Sequence, residues 1–230
     1  MKKNIGILFS VSRKMGVFQY GLSIAEALIN SCSDYDYTIL YFENESPKEV
    51  LKIKNKEGVK YVSLDASGNN FLGKIKLFLN CVLGSPIFST NKKNREIMKN
   101  VKLDLLIIPF QLMFGFEHKI PYMVSIPDIM YKFYPQFPEY SFKNRIINNF
   151  TFKYSTKYSR LNIVDSKLGA EHLNKFFGVK LEKIVPIPYL PAGYVYELKN
   201  MDKTQAKSIL ERYNLPENFI FYPAQFWAHK

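Results

Sequence analysis

Short, continuously apolar runs alternate along this chain with longer stretches in which apolar residues recur every three or four positions. Ile5 to Ser10 is the first run, of the kind a strand buried on both faces requires. A turn from Val11 to Gly16 leads into a helix over about 17–30, with Val17, Gly21, Ile24 and Leu28 on one face. Further strands are expected at Tyr37 to Phe42 and Val59 to Leu64. Phe71, Ile75, Phe78, Leu79 and Val82 then mark one face of an amphipathic helix, with Lys74 and Lys76 elsewhere on it and Pro86 as its stop. Leu105 to Pro109 and Tyr122 to Ile126 read as strands, and a polar, basic helix covers Phe142 to Tyr158.

The same alternation continues to the C-terminus. Asn162 to Asp165 predicts a strand, and Ser166 is a good N-cap for a helix ending at Phe177, with Gly178 as its C′ residue. Ile184 to Ile187 is interrupted by Pro186 and followed by Pro188 and Pro191, which points to an edge strand. Asp202 with Gln205 forms a capping-box pattern for a helix through Tyr213, ended by Asn214 and Pro216. Phe219 to Tyr222 reads as a last strand.

Strands alternating with helices imply βαβ units and an α/β, doubly wound, mostly parallel Rossmann-like sheet. Residues 1–190 would form that domain, 191–203 a linker, and 204–230 the start of a second domain. One helix and one strand cannot make a core of their own, so they either pack back on the first domain or begin a second domain whose remainder is expected elsewhere.

Composition narrows the classes. At 47% hydrophobic and 23% charged residues, with 19 Phe and 16 Tyr, the chain has enough apolar surface to exclude intrinsic disorder. No run reaches the roughly 18–20 apolar residues of a membrane span, and Met1-Lys2-Lys3-Asn4 precedes too short an apolar stretch for a signal peptide. Cys32 and Cys81 have no disulfide or metal spacing, and three histidines without a pair argue against a zinc enzyme. The expected location is the cytoplasm. Thirty-two Lys and Arg against 20 Asp and Glu give +12, an attraction to something anionic or simply a soluble basic surface.

In an open parallel sheet, ligands bind outside the carboxyl ends of the strands, where loops diverge and helix N-termini point inward. Four segments fall there: Val11 to Gly16, Phe110 to Phe116, Pro127 to Pro135, and Ser166. Arg13, Lys14 and Gly16 at a helix N-terminus either hold an anion or form a plain turn with Gly16 as N-cap. Asp128, among prolines and aromatics, either accepts sugar hydroxyls or caps the following turn. Glu117 beside His118 could be an acid–base pair, although a lone surface histidine is the simpler reading, and His172 reads as structural. Basic stretches at 71–102 and 141–160 either bind an anionic membrane face or are solvated surfaces. No nucleic-acid-binding signature is present.

Four pieces, in order, resemble the family 4 (group 1) glycosyltransferases of the GT-B fold that build bacterial surface polysaccharides. Met15-Gly16-Val17-Phe18-Gln19-Tyr20 is similar to that family's glycine-containing turn before the first helix. Ser125-Ile126-Pro127-Asp128, with Phe-Pro-Glu at 137–139, resembles its His-Asp motif. Val164-Asp165-Ser166, Phe177-Gly178-Val179 and the Ile184 to Pro188 segment resemble the end of the acceptor domain. Phe221 to Lys230 resembles the strand and loop that open the donor domain.

The resemblance implies retaining transfer of a sugar from a nucleotide-sugar to a glycan or lipid-linked acceptor, without a required metal. It implies that Gly16 lies against the donor phosphates and that Asp128 lines the sugar pocket, while Arg13, Lys14 and Ser166, at the same sheet edge, are the accompanying candidates for binding phosphate or acceptor. Lys230 stands where the family has a donor-phosphate lysine, and Gln225 where many members have arginine. Two departures accompany it: Pro127 replaces the histidine of the His-Asp pair, and the paired glutamates of the donor domain are not in these residues. The chain alone is therefore expected to be inactive, because diphosphate stabilisation supplies the larger part of the catalysis. The alternatives are a non-catalytic half acting as a binding module with a partner subunit, and an unrelated Rossmann-like protein.

Overall fold

The computed structural model describes residues 2–12, 16–42, 47, 51, 57–66, 71–189, 191, 195 and 201–222. Seven strands form one sheet: β1 (Lys3–Phe9), β2 (Tyr35–Phe42), β3 (Val59–Leu64), β4 (Leu105–Ile108), β5 (Tyr122–Ile126), β6 (Leu161–Val164) and β7 (Ile184–Pro186). Every pairing is parallel, and the order is β3-β2-β1-β4-β5-β6-β7. The doubly wound, Rossmann-like expectation is therefore met. Winding runs outward in one direction from β1 and in the other from β4, so the switch in strand order lies between these two strands.

The helices are α1 (Gly16–Ser31), α2 (Phe71–Leu83), α3 (Lys92–Asn100), α4 (Phe114–Glu117), α5 (Phe142–Tyr158), α6 (Lys167–Phe177) and α7 (Lys203–Arg212). Alternate strand residues feed two cores. Ile7, Phe9, Ile39 and Ile107 pack with Phe18, Leu22 and Ala25 of α1 on one face. Leu8, Leu40, Leu106, Ile108 and Val124 pack with Cys81, Met98, Phe152 and Leu173 from α2, α3, α5 and α6 on the other. A strand covered on both faces has no polar side to show, which is why these runs are continuously apolar.

Capping follows the sequence in α6. The Ser166 hydroxyl accepts from the Gly169 N–H at 3.0 Å, and Gly178 closes the helix at φ 65°, in the left-handed region that glycine adopts freely. Two helices, α3 and α4, are additions to the expected elements. α3 is short and mostly polar, yet Asn91 caps it by accepting from the Asn94 N–H at 3.0 Å. α4 is a single turn, pressed down by Gly115, where a Cβ would run into the Tyr122 ring.

Two expectations are corrected, and the setting of α2 adds a third finding. Asp202 precedes α7 but makes no side-chain cap bond, so the capping box is not formed. Residues 219–222 are exposed and form no strand, since a strand needs a neighbour to pair with and none of the described residues supplies one. The apolar stripe of α2 does not face the core. Its buried positions are Gly73, Asn80 and Cys81, while Phe71, Leu72, Phe78, Val82 and Leu83 are exposed. The segment 201–222 lies outside both cores, with Ile220 at 99% exposure. The linker expected at 191–203 falls largely outside the described residues.

Candidate functional site

The carboxyl ends of β1, β5, β6 and β7 deliver a polar rim. Asp128 follows β5, and its Oδ1 accepts from the Met130 N–H at 3.0 Å, fixing the 3-10 turn Met130–Lys132. The turn-capping alternative for Asp128 is thus realised, with the carboxylate still exposed. Asp165 follows β6 and accepts from the Ser166 hydroxyl at 3.0 Å, while that hydroxyl caps α6. One carboxylate is thereby held at a helix N-terminus, where the macrodipole favours negative charge.

Aromatic side chains close the rim. Tyr20, in the second turn of α1, meets Tyr189 edge to face with ring centroids 4.6 Å apart. Burial raises the Tyr20 phenol above its ordinary range, the neighbouring Ser125 hydroxyl partly offsets this, and the Asp165 charge adds to it. Burial raises Tyr189 further, with contributions from Asp165, Tyr20 and Asp128. Both phenols therefore stay protonated across the physiological range and can donate. Ser125 is buried, and its Oγ makes no hydrogen bond of full geometry among the described residues. Rings beside carboxylates suit a polyhydroxyl ligand, which offers hydroxyl donors to the acids and apolar C–H faces to the rings.

Gly16 is the exposed first residue of α1, and a Cβ there would meet nothing within 4 Å among the described residues. Nothing in the fold itself demands glycine at this position. Arg13, Lys14, Gln225 and Lys230 lie outside the described residues.

A second feature is a cleft of about 450 Å³ over the carboxyl ends of β1, β2 and β3. Ser10, Asp65, Thr90, Asn91, Glu117 and His118 supply its polar wall, and Phe42, Leu77, Leu112 and Phe114 its apolar one. The polar wall is braced. The Asp65 N–H donates to Asn94 Oδ1 at 2.8 Å, and Asn91 Nδ2 donates to the Asp65 carboxylate at 3.0 Å. Burial lifts the Glu117 carboxyl to about 7, although a Thr90 hydrogen bond opposes the rise. Burial and the Arg95 charge lower His118 to about 4. His118 is half-buried and packs on the Phe114 ring at 4.3 Å, which corrects the surface-histidine reading. At neutral pH this pair is a carboxyl near its midpoint beside an uncharged imidazole. His172 packs on Phe133 at 4.5 Å, a structural contact.

Sequence reasoning placed Asp128 and Ser166 on the rim but missed Tyr20, Asp165 and Tyr189, and it set Glu117 aside. The edge rule alone would have found Asp165, which immediately follows a recognised strand. Among the described residues, no three His, Cys, Asp or Glu are grouped to hold a metal ion. Cys81 is buried, its S–H facing Met113 Sδ at 3.3 Å, with burial pushing its thiol up to about 12.

A parallel sheet wound both ways from one switch point, with its polar residues along the carboxyl rim, defines a Rossmann-like α/β domain. Comparison with solved structures then specifies the kind. A glycosyltransferase from Rickettsia africae ESF-5 matches with a TM-score of 0.52 at 15% identity, over 94% of this chain and 51% of that one. A ugt transferase from Siraitia grosvenorii in complex with UDP matches at 0.51 and 10% identity, over 91% and 55%. The wall teichoic acid polymerase TagF matches at 0.50 and 11%, over 93% and 45%. The shared property is the fold, that of GT-B glycosyltransferase structures, and the chain spans about half the length of each. No family model matches the sequence, and no curated protein does.

Proposed function

We propose that these residues are the acceptor-binding lobe of a glycosyltransferase that moves a sugar from a nucleotide-sugar to a glycan or lipid-linked hydroxyl. The single observation that carries this is the rim at the carboxyl ends of β1, β5, β6 and β7, where Asp128, Asp165, Ser166, Tyr20 and Tyr189 converge. In the transfer, the acceptor oxygen bonds to the anomeric carbon while the bond from that carbon to the diphosphate oxygen breaks, and the acceptor's proton passes to the departing diphosphate. Asp128 lines the sugar pocket, and the open space over Gly16 admits the diphosphate to the α1 N-terminus. Arg13 and Lys14 add charge there, and Gln225 and Lys230 belong to the donor side. The family 4 resemblance supports retention of anomeric configuration and a role in bacterial surface polysaccharide synthesis at the inner membrane face. A nucleotide-binding lobe completes the site, so these 230 residues alone do not turn over.

Ligand-observed NMR with short N-acetylglucosamine and glucose oligosaccharides tests this reading. The expected result is saturation transfer to the glycan that Asp128→Asn combined with Tyr189→Ala removes. Transfer unaffected by that variant would place glycan binding elsewhere and overturn the assignment of the rim.

A further inference from the structure

On the face of the sheet that α2, α3, α5 and α6 cover, α3 and the chain leaving α4 enclose a cavity of about 340 Å³. Arg95, Met98 and Lys99 of α3 form one wall, and Glu117, His118 and Lys119 the other. Lys119 lies two residues before Pro121, whose carbonyl accepts from the Leu106 N–H at 2.9 Å. This end of the cavity therefore stands by the amino ends of β4 and β5, away from the rim.

The walls gather positive charge. Arg95 and Lys99 are one helical turn apart on the same face of α3. The Arg95 guanidinium donates to the Pro86 carbonyl at 3.2 Å, which uses one of its five N–H groups and holds the rest in place. Burial lowers the His118 imidazole, and the Arg95 charge lowers it further, so the guanidinium is felt at the ring. Among the described residues, Arg95, Lys99 and Lys119 form no ion pair with a carboxylate. The acid in the lining is Glu117, and burial lifts its carboxyl to about 7, so at neutral pH it offsets only part of this charge.

The backbone at Lys119 is the second observation. The chain leaves α4 through a Schellman motif, in which the Ile120 N–H donates to the Gly115 carbonyl at 2.9 Å and the Lys119 N–H to the Phe116 carbonyl at 3.2 Å. The turning residue is Lys119 at φ 57°, in the left-handed region where glycine is the favoured occupant. α6 ends on a glycine in that conformation, Gly178. A lysine in a glycine's place costs stability, and what it supplies in return is an ammonium group on the cavity wall.

We propose that this cavity binds the phosphoryl group of a small anion, at a site separate from the rim. The Arg95 guanidinium offers its fork of N–H donors to the phosphoryl oxygens, and Lys99 and Lys119 balance the charge as point cations. Glu117 and His118 also line the larger cleft over β1, β2 and β3, so the bound anion lies one layer of side chains from that cleft. The inference does not rest on the transferase reading.

Backbone amide NMR titration of the full chain with inorganic phosphate and with ribose phosphate tests it, against sodium chloride at matched ionic strength. Shifts centred on Arg95, Lys99 and the turn from His118 to Ile120 are expected, with a dissociation constant on the order of 5 mM. Either probe binding there supports the site, and the tighter one identifies its source as the free ion or a phosphate monoester. Lys119→Gly is the discriminating variant. Relief of the left-handed lysine should raise the thermal midpoint by about 2 °C, while loss of the ammonium should weaken phosphate binding about fivefold. Lys99→Ala should weaken it by a similar factor, whereas Lys143→Ala with Lys153→Ala, on α5 and outside the cavity, should leave it unchanged. Equal shifts with chloride overturn the proposal, as does equal weakening by the α5 pair, since either would reduce the effect to the general charge of the chain. Affinity unchanged in both Lys119→Gly and Lys99→Ala overturns it as well, and so does the absence of shifts with both phosphates.

Discussion

Glu117 and His118 are adjacent in sequence, yet burial acts on them in opposite directions. The Glu117 carboxyl is raised to about 7, so the stability it contributes is full below the unfolded value near 4.5 and is lost as pH rises through 7. His118 is lowered to about 4, so its contribution is full above about 6.5 and is lost as pH falls through 4. Glu117→Gln removes the carboxyl penalty alone. Denaturant unfolding should show the variant more stable than wild type at pH 8, by on the order of 2 kcal/mol, with the gap closing towards pH 5. A gap that does not change with pH would contradict the burial argument. Two glycines separate structural from functional demand. Gly115→Ala drives a methyl into Tyr122 and should cost about 1–3 kcal/mol of stability. Gly16→Ala meets open space and should leave stability unchanged or raised by a few tenths of a kcal/mol. A loss at Gly16 comparable to that at Gly115 would show that the lobe itself needs that glycine.

At the scale of elements, Asn80 and Ser166 show where a single side chain organises a segment. Asn80→Ala leaves the Phe88 N–H and carbonyl without their partner and should cost about 1–3 kcal/mol, read as a lowered thermal midpoint. Ser166→Ala removes the α6 cap and should cost about 1 kcal/mol. The strands were legible in the sequence because a parallel strand covered on both faces is a plain apolar run, and Leu105 to Ile108 and Tyr122 to Ile126 fall where that pattern puts them. α3 was not legible, because Lys92–Asn100 has too few apolar residues to show a period. α2 was found, but its orientation was not. Periodicity reveals that a helix has one apolar face, and it carries no information on whether that face meets the core or the outside. The rim was half legible for a related reason. Asp128 and Ser166 follow strands directly, whereas Tyr20 and Tyr189 reach the same place from opposite ends of the sheet domain.

For the molecule as a whole, the two cores account for the sheet and for α1 to α6, while α7 and the residues after it contribute to neither. Limited trypsin digestion should therefore cut first at Lys203, Lys207 or Arg212, and leave the sheet domain intact. Equal susceptibility of Lys153, Lys157 and these sites would contradict that division. The net charge of +12 belongs to the same scale, since the long-range field it sets up follows the whole charge distribution and no single residue. The central claim is that this lobe receives an acceptor and relies on a companion lobe for the nucleotide. Calorimetric titration of the 230-residue chain with UDP, GDP and their sugars tests it most directly. The account predicts dissociation constants weaker than about 1 mM, with no gain from the attached sugar. Sugar-dependent binding at about 10 µM or tighter would contradict it.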